Sequence, residues 1–260
     1  MTPNPKAQIA AAYDAAADHF DDPVLSFRDY YGEQTAARAQ LRPGEIVLDV
    51  CSGTGASAIP AARTVGPPGR VIGLDLAARL IALARSRAAA EALTNIEFRQ
   101  ADFDQAYFRN ASFDAVLCAF GLVFFPDMRA TLQKMWRLLR PGGRLVITTW
   151  GPGVFEPHGR VFWNAVREVR PELYKSADSW ERLNSPELLR AAFEQADIEE
   201  ERREHSLQTP ADWWTIMMGS GHRATIEQLT PEEQAHVRAA CLAITATTIP
   251  IPVLYAVASR

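Results

Sequence analysis

An α/β fold built on a doubly wound, mostly parallel sheet is predicted by three observations in this 260-residue chain. Apolar runs of strand length alternate with helix-period segments over residues 41–150. The first such run, Ile46, Val47, Leu48 and Val50, breaks directly into a glycine-rich turn and then into a small-residue helix. Acidic residues, Asp49, Asp75 and Asp102, stand at the ends of three successive runs, where open α/β sheets bind their ligands.

Each element follows in order. Residues 46–50 read as a strand buried on both faces, since nearly every position is apolar. Gly53 and Gly55 lack a Cβ, so the turn after it can take strained dihedrals and bring backbone amides close to a ligand. Residues 53–58 fit the dinucleotide fingerprint G-x-G-x-x-A, in which the opening amides of a helix hold a pyrophosphate. Residues 70–75 form a second strand ending at Asp75, about twenty residues beyond the glycines, where a carboxylate can accept both hydroxyls of a ribose. Residues 96–105 hold a third strand that runs into Ala101, Asp102 and Phe103.

The run VLDVCSGTG, residues 47–55, resembles motif I of the class I S-adenosylmethionine (SAM)-dependent methyltransferases. It departs from that pattern at Cys51, where glycine is usual, and at Ser52, where a small residue or cysteine is common. Two later segments extend the resemblance. Residues 112–127 are similar to motif IV, a fourth strand ending beside the sulfonium, and RLLRPGGRLVITTW, residues 137–150, is similar to the signature in which Pro-Gly-Gly leads a helix into the fifth strand. The resemblance implies a Rossmann-like seven-stranded sheet whose last strand inserts antiparallel between the fifth and sixth. It implies SAM as cofactor, held by Asp49, Ser52, Gly53 and Gly55 in the loop, Asp75 and Leu76 at the ribose, Ala101, Asp102 and Phe103 at the adenine, and Phe120 after the fourth strand. Residues 11–32 resemble the segment preceding motif I in quinone-biosynthesis methyltransferases, which makes Tyr13 a cofactor contact; Phe20 replaces the tyrosine common at the second aromatic site there.

Beyond residue 150 the chain divides into core completion and cap. Ser185, Pro186 and Glu187 open a helix expected to bury Leu188, Leu189, Ala192 and Phe193. Residues 199–207 and 252–258 read as the sixth and seventh strands. The rest, residues 1–40, 151–184 and 209–248, is expected to form a helical lid over a single domain. Thr209-Pro210 and Thr230-Pro231-Glu232-Glu233 mark two helix starts in the third of these segments. The lid carries Phe155, Phe162, Trp163, Trp180, Trp213, Trp214, Met217 and Met218, which suit a planar or apolar small molecule; packing among themselves is the competing reading.

Composition narrows the partners. Hydrophobic residues make up 48% of the chain, enough for a substantial core, and the net charge of −4 comes without a basic stripe, so nucleic acid is not the expected target. No run approaches the roughly twenty apolar residues of a membrane span, and the amino terminus lacks the order of a signal peptide, so a cytoplasmic location is expected. The cysteines, Cys51, Cys118 and Cys241, have no metal-ligand spacing and read as reduced thiols, and no metal is expected. Both a monomer and a homodimer are compatible with the sequence.

Methyl transfer from a sulfonium is an in-line displacement, for which a protein supplies alignment and exclusion of water. A base is needed only where the acceptor must lose a proton. His158, in the Gly/Pro-rich stretch after the fifth strand, is the first candidate, with His222 next; His19, His205 and His236 read as surface or packing residues. The expected activity is methylation of oxygen or carbon on a small organic acceptor. Two other readings share the sheet: an NAD(P)-dependent oxidoreductase, and a SAM-binding protein acting as a scaffold or cyclase-like catalyst.

Overall fold

A computed structural model describes residues 5–260, so the first four residues of the expected amino-terminal lid lie outside the described residues. The chain runs α1 (Pro5–Ala16), α2 (Phe27–Arg38), β1 (Ile46–Val50), α3 (Ala58–Val65), β2 (Arg70–Asp75), α4 (Ala78–Ala90), β3 (Ile96–Gln100), β4 (Phe113–Ala119), α5 (Met128–Leu138) and β5 (Leu139–Trp150). It continues with α6 (His158–Val169), α7 (Pro186–Ala192), β6 (Asp197–Ser206), α8 (Pro210–Met218), α9 (Arg223–Ile226), α10 (Pro231–Leu242) and β7 (Thr248–Ser259).

The seven strands form one sheet in the order β3-β2-β1-β4-β5-β7-β6. β1 to β5 pair parallel, and β7 pairs antiparallel with both β5 and β6. The order reverses between β1 and β4, so the motif I loop stands at the switch point where such sheets leave a crevice. Alternation of side chains puts Val47, Leu117 and Val146 in the core cluster with α3 and α4, while Leu48, Val116 and Ile147 join α5 and α7 on the other face. Burial on both faces explains why these strands carry continuous apolar runs.

The structure moves several boundaries. β3 ends at Gln100, leaving Ala101, Asp102 and Phe103 in the loop beyond it. The Pro-Gly-Gly segment lies within β5 as an irregularity, where the β4 register jumps from Phe113 opposite Leu139 to Ala115 opposite Arg144. β7 starts at Thr248, earlier than its sequence pattern suggests, because Pro250 and Pro252 precede Val253, where the pairing with β5 begins. α7 ends at Ala192 and leaves Leu188 43% exposed, so Leu189 and the following Phe193 carry that contact instead.

α2 is fastened to the sheet. Its Tyr31 hydroxyl donates to the Ile251 carbonyl at 2.8 Å, and Thr35 Oγ1 lies 2.7 Å from Thr148 Oγ1, all buried. Gly32 allows the helix to press on the motif I segment, since a Cβ there would meet the Ala56 backbone at 2.4 Å. The segment before α2 packs away from it, with α1 on α4 and α9. Trp213, Phe162 and Met217 are fully buried in a second core cluster that α6, α8 and α10 share with α2 and β7. Among the described residues no helix is long and apolar enough to cross a membrane.

Candidate functional site

The loop after β1 departs sharply from regular backbone. Cys51, Gly53 and Gly55 have φ of 61°, 51° and 88°. Glycine takes this region freely, whereas at Cys51 it costs about 1–2 kcal/mol, the consequence of an L residue where glycine is usual. A Cβ on Gly55 would sit 2.9 Å from Phe98 Cζ, but one on Gly53 would find only Leu80 Cδ1, at 4.0 Å. The space above Gly53 is open, and the space behind Gly55 is filled.

Around this loop, buried polar atoms stand without partners. Asp49 is fully buried; its Oδ2 accepts from Ser57 Oγ at 2.7 Å, while Oδ1 has no partner. Ser52 Oγ is likewise buried and free. Asp75 is largely buried and receives the Gly53 amide on Oδ2 and the Ala77 amide on Oδ1, both at 2.9 Å. Burial raises its pKa despite these amides, and each oxygen keeps a lone pair for a ribose hydroxyl. Leu76, half-buried, follows directly at the end of β2.

Burial pushes the Asp49 carboxyl up to about 7, with Asp75 nearby adding to the rise. The cofactor's ammonium beside Oδ1 would favour the carboxylate, so the group would titrate lower in the complex than in the free protein. SAM affinity is therefore expected to fall as pH drops from about 7 toward 5.5, a range in which an α-amino group stays charged. Isothermal titration in buffers of different ionisation enthalpy would show proton release on binding; affinity flat across this range would remove Asp49 from contact with the ammonium.

After β3, Ala101 donates its amide to the Asp75 carbonyl at 2.9 Å, which holds the loop beside β2. Asp102 is engaged by Lys6, whose ammonium lies 2.8 and 2.9 Å from its two oxygens and 2.5 Å from Asp104. An adenine amine reaching Asp102 would share it with this lysine. Phe103 is buried against Phe125 with ring centroids 6.2 Å apart, so it packs into the main core.

The far end of the site is aromatic. Phe120, at φ 59°, donates its amide to the Thr148 carbonyl and stacks on Trp150 with centroids 3.8 Å apart. Gly121 follows because a Cβ there would strike Cys51 Cβ at 2.4 Å. Cys118 beside it, together with burial, pushes the Cys51 thiol well up, so that thiol stays protonated. Tyr13 packs edge-on to Phe124 and Phe20, and burial raises its hydroxyl to about 12.

A cavity of about 360 Å³ opens beside α6, lined by Phe155, Trp163, Trp180, Trp213, Asp178 and His222 among others. Phe155 links it to the site, 5.5 Å from Trp150 and 6.3 Å from Trp180 by ring centroids. His158 begins α6, is 1% exposed, and has Nδ1 buried without a partner. Burial lowers its pKa, which keeps the ring neutral. His222 is held differently. Ser220 Oγ donates to the Met217 carbonyl and lies 3.0 Å from His222 Nδ1, while Nε2 stands 3.5 Å from Asp178 Oδ1. Trp163 Nε1 donates to the other Asp178 oxygen at 3.1 Å, so this cluster ties residues 151–184 to residues 209–248.

The structure thus gathers Asp49, Ser52, Gly53, Gly55, Asp75, Leu76, Ala101 and Asp102 around the switch point, with Tyr13 and Phe120 at its aromatic end. The unpartnered oxygens, the open space over Gly53 and the half-satisfied Asp75 fit the polar moieties of SAM. Sequence reasoning missed Lys6, Arg28, Trp150 and Asp178. An isolated charge in an amphipathic helix or an irregular loop reads as solvated, and only the burial of Arg28 and Asp178 in the fold marks them. Among the described residues no cluster of three or more His, Cys, Asp or Glu is placed to hold a metal ion.

Comparison with known proteins gives consistent results. A family profile described as a methyltransferase domain matches residues 47–143. The demethylmenaquinone methyltransferase of Lactococcus lactis is 33% identical over 179 residues, 67% of this chain and 71% of that protein. That of Deinococcus radiodurans is 38% identical over 169 residues, 64% of this chain and 67% of its own length. Among solved structures, the YcgJ protein from Bacillus subtilis aligns with a TM-score of 0.58 at 19% identity, covering 89% of this chain and 99% of that one. A SAM-dependent methyltransferase from Aquifex aeolicus aligns with a TM-score of 0.54 at 17% identity, over 94% of this chain and 97% of that one.

Proposed function

Because this chain belongs to the class I SAM-dependent methyltransferases, we propose that it methylates a ring carbon of a small hydroquinone-type acceptor. The observation that carries the reading is the aromatic cavity beside Phe155, whose walls of Trp163, Trp180 and Trp213 suit a flat, electron-rich ring. The relatives' demethylmenaquinone substrates supply the acceptor class.

SAM supplies an electrophilic methyl on a sulfonium. Asp75 and the Gly53 loop bind its ribose and hold the adenosine in place, and Asp49 receives the ammonium. Phe120 and Trp150, stacked beside the motif I loop, form a dry wall against which the acceptor lies, so attack runs in line and water is excluded. A ring carbon becomes nucleophilic when a neighbouring hydroxyl gives up its proton, and aromaticity returns when the proton on the methylated carbon leaves. His158, neutral and with an unpartnered Nδ1, is the proposed acceptor of the hydroxyl proton. It adjoins the cavity through Gly159 and Trp213, the latter 5.2 Å away by ring centroids.

The test is turnover with SAM and a naphthoquinol lacking its ring methyl, under reducing conditions, read as S-adenosylhomocysteine release and product NMR. A C-methyl product is expected, with none from the oxidised quinone. His158→Gln should lower kcat by roughly a hundredfold or more with SAM binding unchanged. A methyl ether as product would overturn the carbon assignment, and full activity in His158→Gln would remove the base.

A further inference from the structure

His222 and Asp178 face each other across a gap with an acceptor on either side. Ser220 Oγ spends its hydrogen on the Met217 carbonyl at 2.9 Å and lies 3.0 Å from His222 Nδ1, so it accepts the Nδ1 proton. In the neutral imidazole that leaves Nε2 as a bare lone pair. It stands 3.5 Å from Asp178 Oδ1, beyond the roughly 2.7–3.2 Å of a hydrogen bond. Trp163 Nε1 donates to Asp178 Oδ2 at 3.1 Å, which fixes the carboxylate with Oδ1 turned to the histidine. Burial favours the neutral acid, yet His222, Trp163 and Lys175 together hold the Asp178 carboxyl below its ordinary value, so it stays ionised. Both residues line the cavity beside Phe155, and the rings of Phe162, Trp163 and Trp180 close on His222 at 5.3 to 5.5 Å by centroids. His158 starts α6, and Phe162, one turn further along the same face, packs on His222, so the two imidazoles meet α6 about one helical turn apart.

Two acceptors facing each other in a largely buried site are costly until a donor enters between them. A phenolic O–H is such a donor, whereas a ketone oxygen in the same place meets a lone pair and a negative charge. Resting on the hydroquinone reading above, we propose that His222 and Asp178 bind the second hydroxyl of a para-dihydroxy arene whose first hydroxyl meets His158, and so admit the reduced acceptor and reject its quinone. The separation of the two histidines along α6 suits a ring with oxygens at opposite ends. A site built to bind a hydroxyl discriminates strongly against an analogue that lacks it, because its buried polar groups are then left unpaired. Only the reduced, electron-rich ring can take a methyl, so the pair keeps the unreactive quinone from occupying the cavity.

The experiment compares 2,3-dimethyl-1,4-naphthalenediol with its quinone, both blocked at the ring carbons, so neither is methylated there nor adds a thiol. Affinities are read by isothermal titration at pH 8, where imidazole is ordinarily neutral, without oxygen and with S-adenosylhomocysteine present. Wild type should favour the diol by about 30-fold or more. In Asp178→Asn, Trp163 holds the amide oxygen and turns the amide nitrogen, a donor, toward the gap. The diol should then weaken by about tenfold and the quinone tighten by about tenfold, a gain that damaged packing does not produce. His222→Phe removes the lone pair and should weaken the diol by about tenfold and the quinone by less than about threefold, which serves as the test if Asp178→Asn does not fold. Equal affinity of wild type for the two ligands would overturn the proposal, as would parallel losses in the variants or binding of neither ligand. A C-methyl product from the unblocked naphthoquinol without any such preference would leave the methylation reading standing and strike this one. A clear preference for the diol without methyl transfer would do the reverse.

Discussion

Gly53→Val is expected to abolish measurable SAM binding while leaving a cooperatively folded protein. The two effects separate because the space above Gly53 belongs to no other part of the chain: a Cβ there has Leu80 Cδ1 at 4.0 Å as its neighbour. The branched side chain would instead fill the volume where the cofactor must approach the backbone. The positive φ of 51° adds strain of about 1–2 kcal/mol, felt as a lower melting temperature. Gly55→Val makes the contrast, since its Cβ would drive into Phe98 and Ile59 within 3.1 Å and should damage folding itself. Titration calorimetry and thermal melts on both variants decide the matter. SAM affinity within threefold of wild type in a folded Gly53→Val protein would show that this loop does not cradle the cofactor.

Asp75→Ala should weaken SAM by roughly 2–4 kcal/mol, because two charge-assisted bonds to the ribose are lost together. The structure adds a second consequence. Asp75 also receives the Gly53 and Ala77 amides, so the alanine variant frees the loop backbone as well. Asp75→Asn keeps one acceptor and should fall between wild type and alanine. Asp102→Ala should cost less, about 1–2 kcal/mol, since the adenine amine makes one directional contact that water can partly replace. The Lys6 ion pair already on Asp102 shrinks the difference further, as its removal also loosens α1. Equal losses for Asp75→Ala and Asp102→Ala, or none for Asp75→Ala, would reverse the assignment of ribose and adenine ends.

Most of the cofactor half was legible because its chemistry is local. The strands are buried on both faces, so their apolar runs stand out, and glycines at Gly53 and Gly55 are needed for backbone reasons that neighbours in sequence reveal. Asp49 and Asp75 could be placed from position alone, since a residue at a strand's carboxyl end faces the crevice whatever the rest of the chain does. The order of the strands, including β7 between β5 and β6, followed from the resemblance and is what the structure shows.

Elsewhere, sequence pattern and structure part company for identifiable reasons. Leu188 reads as core by helical spacing but is exposed, because α7 stops at Ala192 and the sheet beneath it is reached by Leu189 and Phe193. α2 reads as part of a lid, whereas Tyr31 and Thr35 bind it to β7 and β5, residues more than a hundred positions away. The aromatics beyond residue 150 were visible as a group, yet which of them line a cavity and which form a core depended on packing: Trp180 and Phe155 line the cavity, while Phe162 is sealed in the core cluster shared with α2 and β7.

By itself, then, the sequence determined the sheet, the loop and the carboxylates at the strand ends, because strand periodicity, positive φ and strand-end position are properties of short segments. Only the tertiary structure decided that Lys6 sits on Asp102, that Asp178 meets His222, and that Arg28 Nη1 stands buried without a hydrogen-bond partner. The reason is that burial and pairing of a charge depend on which distant elements close around it, and the cost of leaving it unpartnered appears only once water has been removed.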